Sequence, residues 1–242
     1  MVETTTTSTS PRSSAEPQWR CPTAVGEVRV LTSTRHDGDF HLSHVPTEVL
    51  TARRRSLVDA PWAMLDEVHG VEVVAVADAV AADRQRGDVA VTDRAGLVLG
   101  VWTGDCAPLV LVAPDGRLAV AHAGWRGVAA GVVDVALRAV DPAGAGGVQG
   151  FLGPTIGPCC NEFGADDLGT VAAGLGCAPT DVTATTRWGT SSLDLPGAIE
   201  RELVRHGVTL TTDRRCTRED PGLFSHRGGD RGRHVTAAWR SS

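Results

Sequence analysis

Several kinds of residue and pattern are scarce in this chain of 242 residues, and some of these scarcities exclude whole classes of function. It has no tyrosine, four phenylalanines and two methionines. The formal net charge is −6 and no block of basic residues occurs, so we expect no nucleic-acid partner. No apolar run approaches the roughly 18–20 residues of a membrane span, so we expect no membrane segment.

Familiar catalytic and nucleotide-binding motifs are also missing. There is no Walker loop, no dinucleotide-binding glycine fingerprint and no Gly-x-Ser-x-Gly elbow. Residues 1–18 are rich in Thr, Ser and Pro and lack the apolar stretch of a secretory signal. We expect them to be a disordered tail before a domain over residues 19–242, and we expect a cytoplasmic protein.

Six cysteines, at positions 21, 106, 159, 160, 177 and 216, are therefore expected to be thiols in a reducing compartment. Cys159 and Cys160 are adjacent, a pattern that more often marks two packed thiols than a pair of metal ligands.

Hydrophobic patterning predicts strands over residues 28–31, 62–68, 71–77, 87–92, 97–103, 107–113, 117–121, 148–152, 208–211 and 235–239. It predicts helices over residues 47–60, 124–141, 165–174 and 196–206. Thr47 is the expected cap of the first helix, and Arg53, Arg54 and Arg55 its solvent-exposed face.

The most informative stretch runs from Cys106 to His122. Two apolar runs are separated by Pro114-Asp115-Gly116, which is typical of a turn and predicts a β-hairpin. The start of one strand then lies beside the end of the other, so Cys106 and His122 can meet. Such a pair can be a nucleophile with its base, two metal ligands, or packed core residues.

His69 also follows a predicted strand, and Gly70 after it indicates a bulge or a close approach of the backbone. Alone, such a histidine is more often structural. Together, His69, Cys106 and His122 are donors that zinc accepts, and three protein ligands leave a fourth position for a reacting oxygen. Their long, unequal spacings exclude a zinc finger.

Anion-binding residues are harder to identify from spacing. Gly124-Trp125-Arg126-Gly127 opens a predicted helix and is a candidate anion seat. Arg35 follows a strand and is as easily a solvated side chain as a site residue. The loop from Gly153 to Cys160 has the glycines and prolines of a rigid pocket wall.

The chain resembles the YfiH-like family, also called laccase-domain, multicopper-polyphenol-oxidase-like or purine nucleoside phosphorylase. The matching segments span about residues 28–239 and are Thr32 to Arg35, Val68-His69-Gly70, Asp88 to Thr92, Thr103 to Pro108, Ala121 to Gly127, Gly153 to Cys160, Asp194-Leu195-Pro196 and Phe224 to Arg227.

This resemblance implies a single α/β domain with layered mixed β-sheets flanked by helices, and a zinc ion held by His69, Cys106 and His122. It implies phosphorolysis of adenosine, inosine, guanosine and methylthioadenosine, with deamination of adenosine as a second activity. Arg35, Arg126 and Arg227 are the candidates for binding phosphate. The expected partners are a purine nucleoside and phosphate, and the expected state is a monomer or weak homodimer.

Some positions depart from the family pattern. His36 to Asp39 replaces a Gly-Gly-Val-Ser type run, Gly104 an alanine, Asn161 an aromatic residue and Gly228 a second arginine. The three expected ligands are intact, so these departures concern substrate preference.

Three other interpretations stay open. In a cysteine hydrolase acting on peptidoglycan precursors, Cys106 would be the nucleophile, His122 its base and Asp105 a neighbour. A copper polyphenol oxidase would need more clustered histidines and a Cys/Met centre, and neither Met1 nor Met64 is well placed for one. A non-enzymatic binding protein with a structural Cys/His cluster is the third.

Overall fold

The computed structural model describes residues 16–241, so most of the predicted tail lies outside the described residues. Gln18, the last tail residue, donates its backbone N–H to the carbonyl of Val30 at 2.8 Å and therefore lies against the first sheet.

The strands, in chain order, are β1 (Trp19–Thr23), β2 (Gly26–Thr32), β3 (Trp62–Met64), β4 (Val73–Ala75), β5 (Val89–Thr92), β6 (Val98–Thr103), β7 (Ala107–Val112), β8 (Leu118–Ala123), β9 (Gln149–Leu152), β10 (Thr183–Thr185), β11 (Ser191–Leu193), β12 (Thr209–Thr212) and β13 (His234–Arg240). The helices are α1 (Thr47–Leu57), α2 (Ala79–Ala82), α3 (Trp125–Ala129), α4 (Val132–Val140), α5 (Ala165–Gly174) and α6 (Leu195–Arg205). Short 3₁₀ turns lie at Arg35–Asp37 and Pro179–Asp181.

Two mixed sheets stack face to face. One has the order β1-β2-β13-β6-β3 and the other β12-β9-β7-β8-β5-β4, while β10 and β11 form a separate hairpin. Both large sheets combine parallel and antiparallel pairs: β3 is parallel to β6, for example, whereas β13 is antiparallel to β6. The expected α/β domain of layered mixed sheets and flanking helices is confirmed.

Strand β7 shows how the layers are built, because its side chains alternate between two cores. Val110 and Val112 point into the core between the sheets, while Leu109 and Leu111 point outward to the core under α3 to α6. Helix α1 covers the outer face of the other sheet through Leu50. With helices on both sides, the central strands are buried on both faces and read as continuous apolar runs.

Helix α1 corrects two expectations. Its N-cap is Pro46 and Thr47 is its first residue, so Thr47 makes no cap. Arg54 is not on a solvent face: it is 7% exposed and donates to Asp83 at 3.0 Å and to the Met64 sulfur at 3.2 Å. Helical periodicity predicted helix α1, but it could not predict that Arg54 would contact Asp83 and Met64, which lie outside the helix.

The predicted helix over residues 124–141 is two helices, α3 and α4. Gly131 between them has φ of +89°, a left-handed conformation that ends one helix and suits glycine. Within residues 16–241, no helix has both the length and the hydrophobicity that crossing a bilayer requires.

His234, at the start of β13, makes stability depend on pH. The side chain is fully buried, and its Nε2 lies 3.0 Å from the Thr103 hydroxyl. Burial, with a contribution from the charges of Arg215 and Arg233, lowers the pKa of His234 to about 3. The unfolded chain binds this proton near its ordinary pKa of about 6.5. Stability from this group is therefore complete above about pH 6.5 and is lost as the pH falls toward 3.

Between pH 7 and pH 5 this loss amounts to about 2 kcal/mol. We expect His234→Gln to be less stable than wild type at pH 7, yet to lose less stability on going to pH 5. Urea unfolding at both pH values measures the difference. His36→Gln, at an exposed histidine, is the control and should lose as much as wild type; equal losses in His234→Gln and wild type would contradict the assignment.

Candidate active site

The site lies where connections between the two sheets meet. Residues 65–72 link β3 to β4, residues 104–106 link β6 to β7, and residues 213–233 link β12 to β13. The backbone N–H of His226, on the third connection, donates to the carbonyl of Gly104 on the second at 2.6 Å. Side chains far apart in sequence therefore meet at this end of the sandwich.

The predicted hairpin is present and places two of the expected ligands. Strands β7 and β8 pair antiparallel with Pro108 opposite His122, so Cys106 and His122 lie side by side. His69 joins them from the β3–β4 connection, and one ligand atom from each of the three lies within 4.8 Å of the others. The Cys106 sulfur is 3.8 Å from His69 Nε2.

His69 is not at a strand end as expected, but inside a loop with φ of +61°. The N–H of Gly70 donates to Asp88 at 2.7 Å. The backbone of Gly70 also approaches Gly127 closely, as expected, because a Cβ on Gly127 would lie 3.2 Å from the Gly70 carbonyl oxygen. A Cβ on Gly124 would lie 2.8 Å from the His69 ring and 3.1 Å from the Cys106 sulfur. A side chain at position 124 would therefore force the three expected ligands apart.

Asp88 orders this cluster, and sequence reasoning missed it as a site residue. Its Oδ1 lies 2.8 Å from His122 Nδ1, and its carboxylate accepts the backbone N–H groups of Val68, His69 and Gly70. One buried carboxylate thus fixes both the His69 loop and the His122 ring. Because Nδ1 of His122 is hydrogen-bonded to Asp88, Nε2 is the ring nitrogen that remains available to bind a metal ion.

The charges in the site depend on each other. Burial acts to raise the pKa of the Cys106 thiol, but His122 beside it and hydrogen bonds from His122 and His69 lower it to about 6. Burial opposes a charged His122, yet Glu67 and Cys106 raise its pKa above the ordinary value. Burial raises the pKa of Glu67, which lies 3.7 Å from His122 Nδ1, to about 8.

These donors suit a divalent metal ion. Two imidazoles and a readily deprotonated thiol form a set that zinc accepts, and a carboxylate behind one imidazole is the usual arrangement around such a ligand. His122 is buried, Cys106 half-buried and His69 exposed, so one side of the cluster stays open.

Two cavities meet at the cluster. One, of about 410 Å³, is lined by aromatic and apolar side chains and two arginines; the other, of about 330 Å³, contains Glu67 and Arg233. Both share His69, Asp105, Cys106 and His226 in their walls. A cleft of this size and mixed lining accommodates a small organic ligand.

The predicted arginines occupy different places. Arg126 and Arg227 line the larger cavity, with Arg126 over the Trp125 ring and Arg227 over the Phe163 ring. Arg35 lines neither cavity. Its guanidinium is paired with Asp230 and donates to the carbonyl of Leu223.

Asp105 holds the third connection in place. Its carboxylate accepts the hydroxyls of Thr217 at 2.6 Å and Ser225 at 2.8 Å and the N–H of Arg227 at 2.7 Å. Its carbonyl accepts the Thr155 hydroxyl at 2.6 Å. Its φ of +153° is unusual for a residue with a side chain. These contacts join residues that are far apart in the chain, so no local pattern predicts them, and only the neighbouring Cys106 drew attention to Asp105.

Comparison with known proteins finds one matching family model and several related sequences. The family model described as multi-copper polyphenol oxidoreductase laccase matches residues 31–241. A curated relative from Xylella fastidiosa strain Temecula1, named purine nucleoside phosphorylase, is 38% identical over 192 residues, which cover 72% of this chain and 70% of the relative. A Streptomyces coelicolor protein of the same name is 38% identical over 184 residues, covering 74% of each chain.

Solved structures show the same fold. A Neisseria meningitidis crystal structure superposes with a TM-score of 0.80 at 27% identity, covering 94% of this chain and 99% of the other. YlmD from Geobacillus stearothermophilus gives a TM-score of 0.72 at 25% identity, covering 90% and 92%.

Proposed function

Since the chain belongs to the multi-copper polyphenol oxidoreductase laccase family, we propose that it is a zinc-dependent purine nucleoside phosphorylase with His69, Cys106 and His122 as ligands of the ion. The observation that carries this proposal is the convergence of these three donors at the junction of the two cavities. The names of the curated relatives support the reaction.

The proposed substrates are adenosine, inosine, guanosine and methylthioadenosine, each with phosphate. In the reaction the bond between ribose C1′ and purine N9 breaks, and a phosphate oxygen bonds to C1′. The electron pair of the broken bond leaves with the base, which takes up a proton. A zinc ion at the three ligands would act as a Lewis acid beside the nucleoside.

The walls of the larger cavity suggest how the substrates are held. Trp125 and Phe163 meet edge to face at 5.6 Å between ring centroids and offer apolar surface to a purine. Arg126 and Arg227 are the cations of this cavity and would bind phosphate. Asn161, one of the positions that depart from the family pattern, also lines this cavity. Its amide donates to the carbonyl of Leu193, so this side chain is held within the cavity wall.

We also propose deamination of adenosine at the same zinc ion and side chains. There, an oxygen from water replaces the amino group at C6 of the purine and ammonia is released, a reaction that zinc sites carry out on nucleobases.

The direct test is turnover by the purified protein. With adenosine and phosphate, we expect adenine and ribose 1-phosphate in equal amounts, with no adenine formed when phosphate is omitted. Chromatography of the reaction products measures both bases and sugars, and the same analysis of a reaction without phosphate detects inosine from deamination. Failure to cleave any of the four nucleosides with zinc and phosphate present would refute the phosphorylase.

The arginines make a separate prediction. We expect Arg126→Ala and Arg227→Ala each to raise the KM for phosphate about tenfold, because a charge-assisted contact to phosphate contributes roughly 1.5 kcal/mol or more. Steady-state kinetics at varied phosphate measure this. Arg55→Ala, at an exposed position on α1, is the control and should leave the KM unchanged. An unchanged phosphate KM in both cavity variants would remove these residues from the phosphate site.

A cysteine hydrolase acting on a peptidoglycan precursor is the alternative, and one observation favours it. Cys106 has a lowered pKa, His122 lies beside it, and Asp88 orients His122, which is the order of a nucleophile, base and orienting carboxylate. Asp105, expected as a neighbour of this pair, directs its carboxylate to the hydroxyls of Thr217 and Ser225.

Copper is the alternative ion, as the description of the family model suggests. Among residues 16–241, the His/Cys/Asp/Glu groups that could hold an ion contain at most two histidines each, fewer than a multicopper centre needs. The Met64 sulfur is buried against Arg54 and is no candidate for a copper ligand at the cluster. We therefore propose zinc.

A further inference from the structure

A second group of side chains that could bind a metal ion lies outside both cavities. It consists of the thiols of Cys159, Cys160 and Cys216 and the carboxylate of Glu219, whose ligand atoms all lie within 4.8 Å of one another. The Cys159 sulfur is 3.5 Å from Glu219 Oε2. We call these four residues the thiol cluster.

The backbone is shaped around these sulfur atoms. Gly157 donates its N–H to the Cys216 sulfur, with 3.2 Å between nitrogen and sulfur. A Cβ at Gly157 would lie 3.2 Å from the Cys159 sulfur and 3.4 Å from Cys216 Cβ, so a side chain at this position would press against the thiol cluster. An N–H group directed at sulfur is a typical outer contact of a metal-bound thiolate.

Without a cation, the thiol cluster has little to hold it together. The Cys160 side chain is buried, and those of Cys159 and Cys216 are half-buried. Neutral thiols are weak hydrogen-bond donors and acceptors, so three of them packed together gain little from one another. A soft divalent cation would supply the missing attraction by binding them as thiolates.

The surrounding charge also fits such an ion. Three thiolates and one carboxylate would exceed the charge of a divalent ion, and Arg187 offsets part of the excess. Its guanidinium lies 2.7 Å from Glu219 Oε1, and its backbone N–H donates to the carbonyl of Cys159 at 3.0 Å.

We propose that the thiol cluster is a second, structural metal site that binds zinc through three thiolates and one carboxylate. Four protein ligands make a closed tetrahedral site with no position for substrate, which is the usual form of a structural zinc site. This assignment replaces the expectation that Cys159 and Cys160 are merely packed thiols.

The position of the site gives the ion a mechanical role. It would join residues 153–160 to residues 213–220, which are already linked by the hydrogen bond from the N–H of Thr217 to the carbonyl of Thr155 at 3.1 Å. Both threonine hydroxyls donate to Asp105, the neighbour of Cys106. The ion would therefore stiffen the supports of the active site without touching the substrate.

Metal content of the purified full-length protein tests the proposal. After loading with zinc and removing the free ion, we expect about two zinc ions per chain in wild type, about one in Cys216→Ser, and about one in His122→Ala. The protein that carries both Cys216→Ser and His122→Ala should hold no zinc. Cys177→Ser is the matched control, because Cys177 lies outside both groups of donors, and should hold about two.

Cobalt(II) substitution gives a readout that does not depend on activity. In the His122→Ala protein, we expect strong thiolate-to-cobalt charge-transfer absorption from three thiolates. Glu219→Gln in that background should weaken cobalt binding but keep the absorption, and it avoids changing a buried thiol should Cys216→Ser fail to fold.

Two results would overturn the proposal. One is zinc-loaded wild type that holds a single ion lost completely in His122→Ala. The other is a disulfide between two of the three cysteines in protein purified under reducing conditions, seen as a loss of two hydrogens in the intact mass. Neither result would bear on phosphorolysis, which depends on the first group of donors.

Discussion

Cys106→Ser is expected to reduce kcat/KM for adenosine phosphorolysis by about 1,000-fold or more while leaving the fold intact. Serine is nearly isosteric with cysteine but is a poor ligand for zinc, because its hydroxyl stays protonated at neutral pH. A bound metal supplies several kcal/mol of transition-state stabilisation, and about 1.4 kcal/mol corresponds to a tenfold change in rate. Initial rates and the metal content of the same preparation measure the effect.

His122→Ala should reduce activity as strongly as Cys106→Ser. It should also lower the free energy of unfolding by more than Cys106→Ser does. The ring is 3% exposed in a central strand, and its removal leaves Asp88 with only backbone partners, at a cost of about 1–3 kcal/mol. Cys177→Ser makes the same chemical change as Cys106→Ser away from the site and should retain full activity. Full activity in either ligand variant would remove the proposed mechanism.

Chelation separates this mechanism from the cysteine hydrolase, in which Cys106→Ser is also inactive. For the phosphorylase, removing the ion should abolish turnover and adding zinc should restore it. A hydrolase that uses Cys106 as a nucleophile would keep its activity in chelator and lose it to a thiol-alkylating reagent.

Asp105→Ala is expected to lower the free energy of unfolding by about 3 kcal/mol and to abolish activity. The substitution leaves the hydroxyls of Thr217 and Ser225 and the N–H of Arg227 without their acceptor, and each unsatisfied buried group costs roughly 1–3 kcal/mol. It also keeps a side chain at φ of +153°. For a domain of this size, such a loss corresponds to a melting temperature lower by about 6–12 °C.

Asp105→Gly separates the two contributions. It removes the same carboxylate but tolerates the backbone conformation, so it should be more stable than Asp105→Ala by about 1 kcal/mol. Urea unfolding of the two variants and wild type gives the comparison. Wild-type stability in Asp105→Ala would show that the carboxylate does not hold the connection over residues 213–233.

The hairpin over β7 and β8 shows what the sequence can determine. Its two apolar runs and their turn are local features, and they were enough to place Cys106 beside His122. Helix α5 likewise has the predicted bounds. Where periodicity and turn residues act over short distances, the chain encodes the structure directly.

Contacts between distant segments could not be read in this way. Asp88 contacts His122 because β5 pairs with β8 in one register, and no local pattern encodes that pairing. Arg35 followed a strand as expected, but its side chain turned toward Asp230, whose position depends on the C-terminal connection. Cys216 joined Cys159 and Cys160 for the same reason.

The placement of β13 has a consequence for folding kinetics. This strand lies between β2 and β6, so one of the central pairings of the sheet joins segments some two hundred positions apart in the chain, such as Thr236 and Thr32. Closing so large a loop is entropically costly, and proteins dominated by distant pairings fold slowly. Partly folded molecules that lack this pairing would expose the edges of β2 and β6, which makes them the species most prone to aggregate.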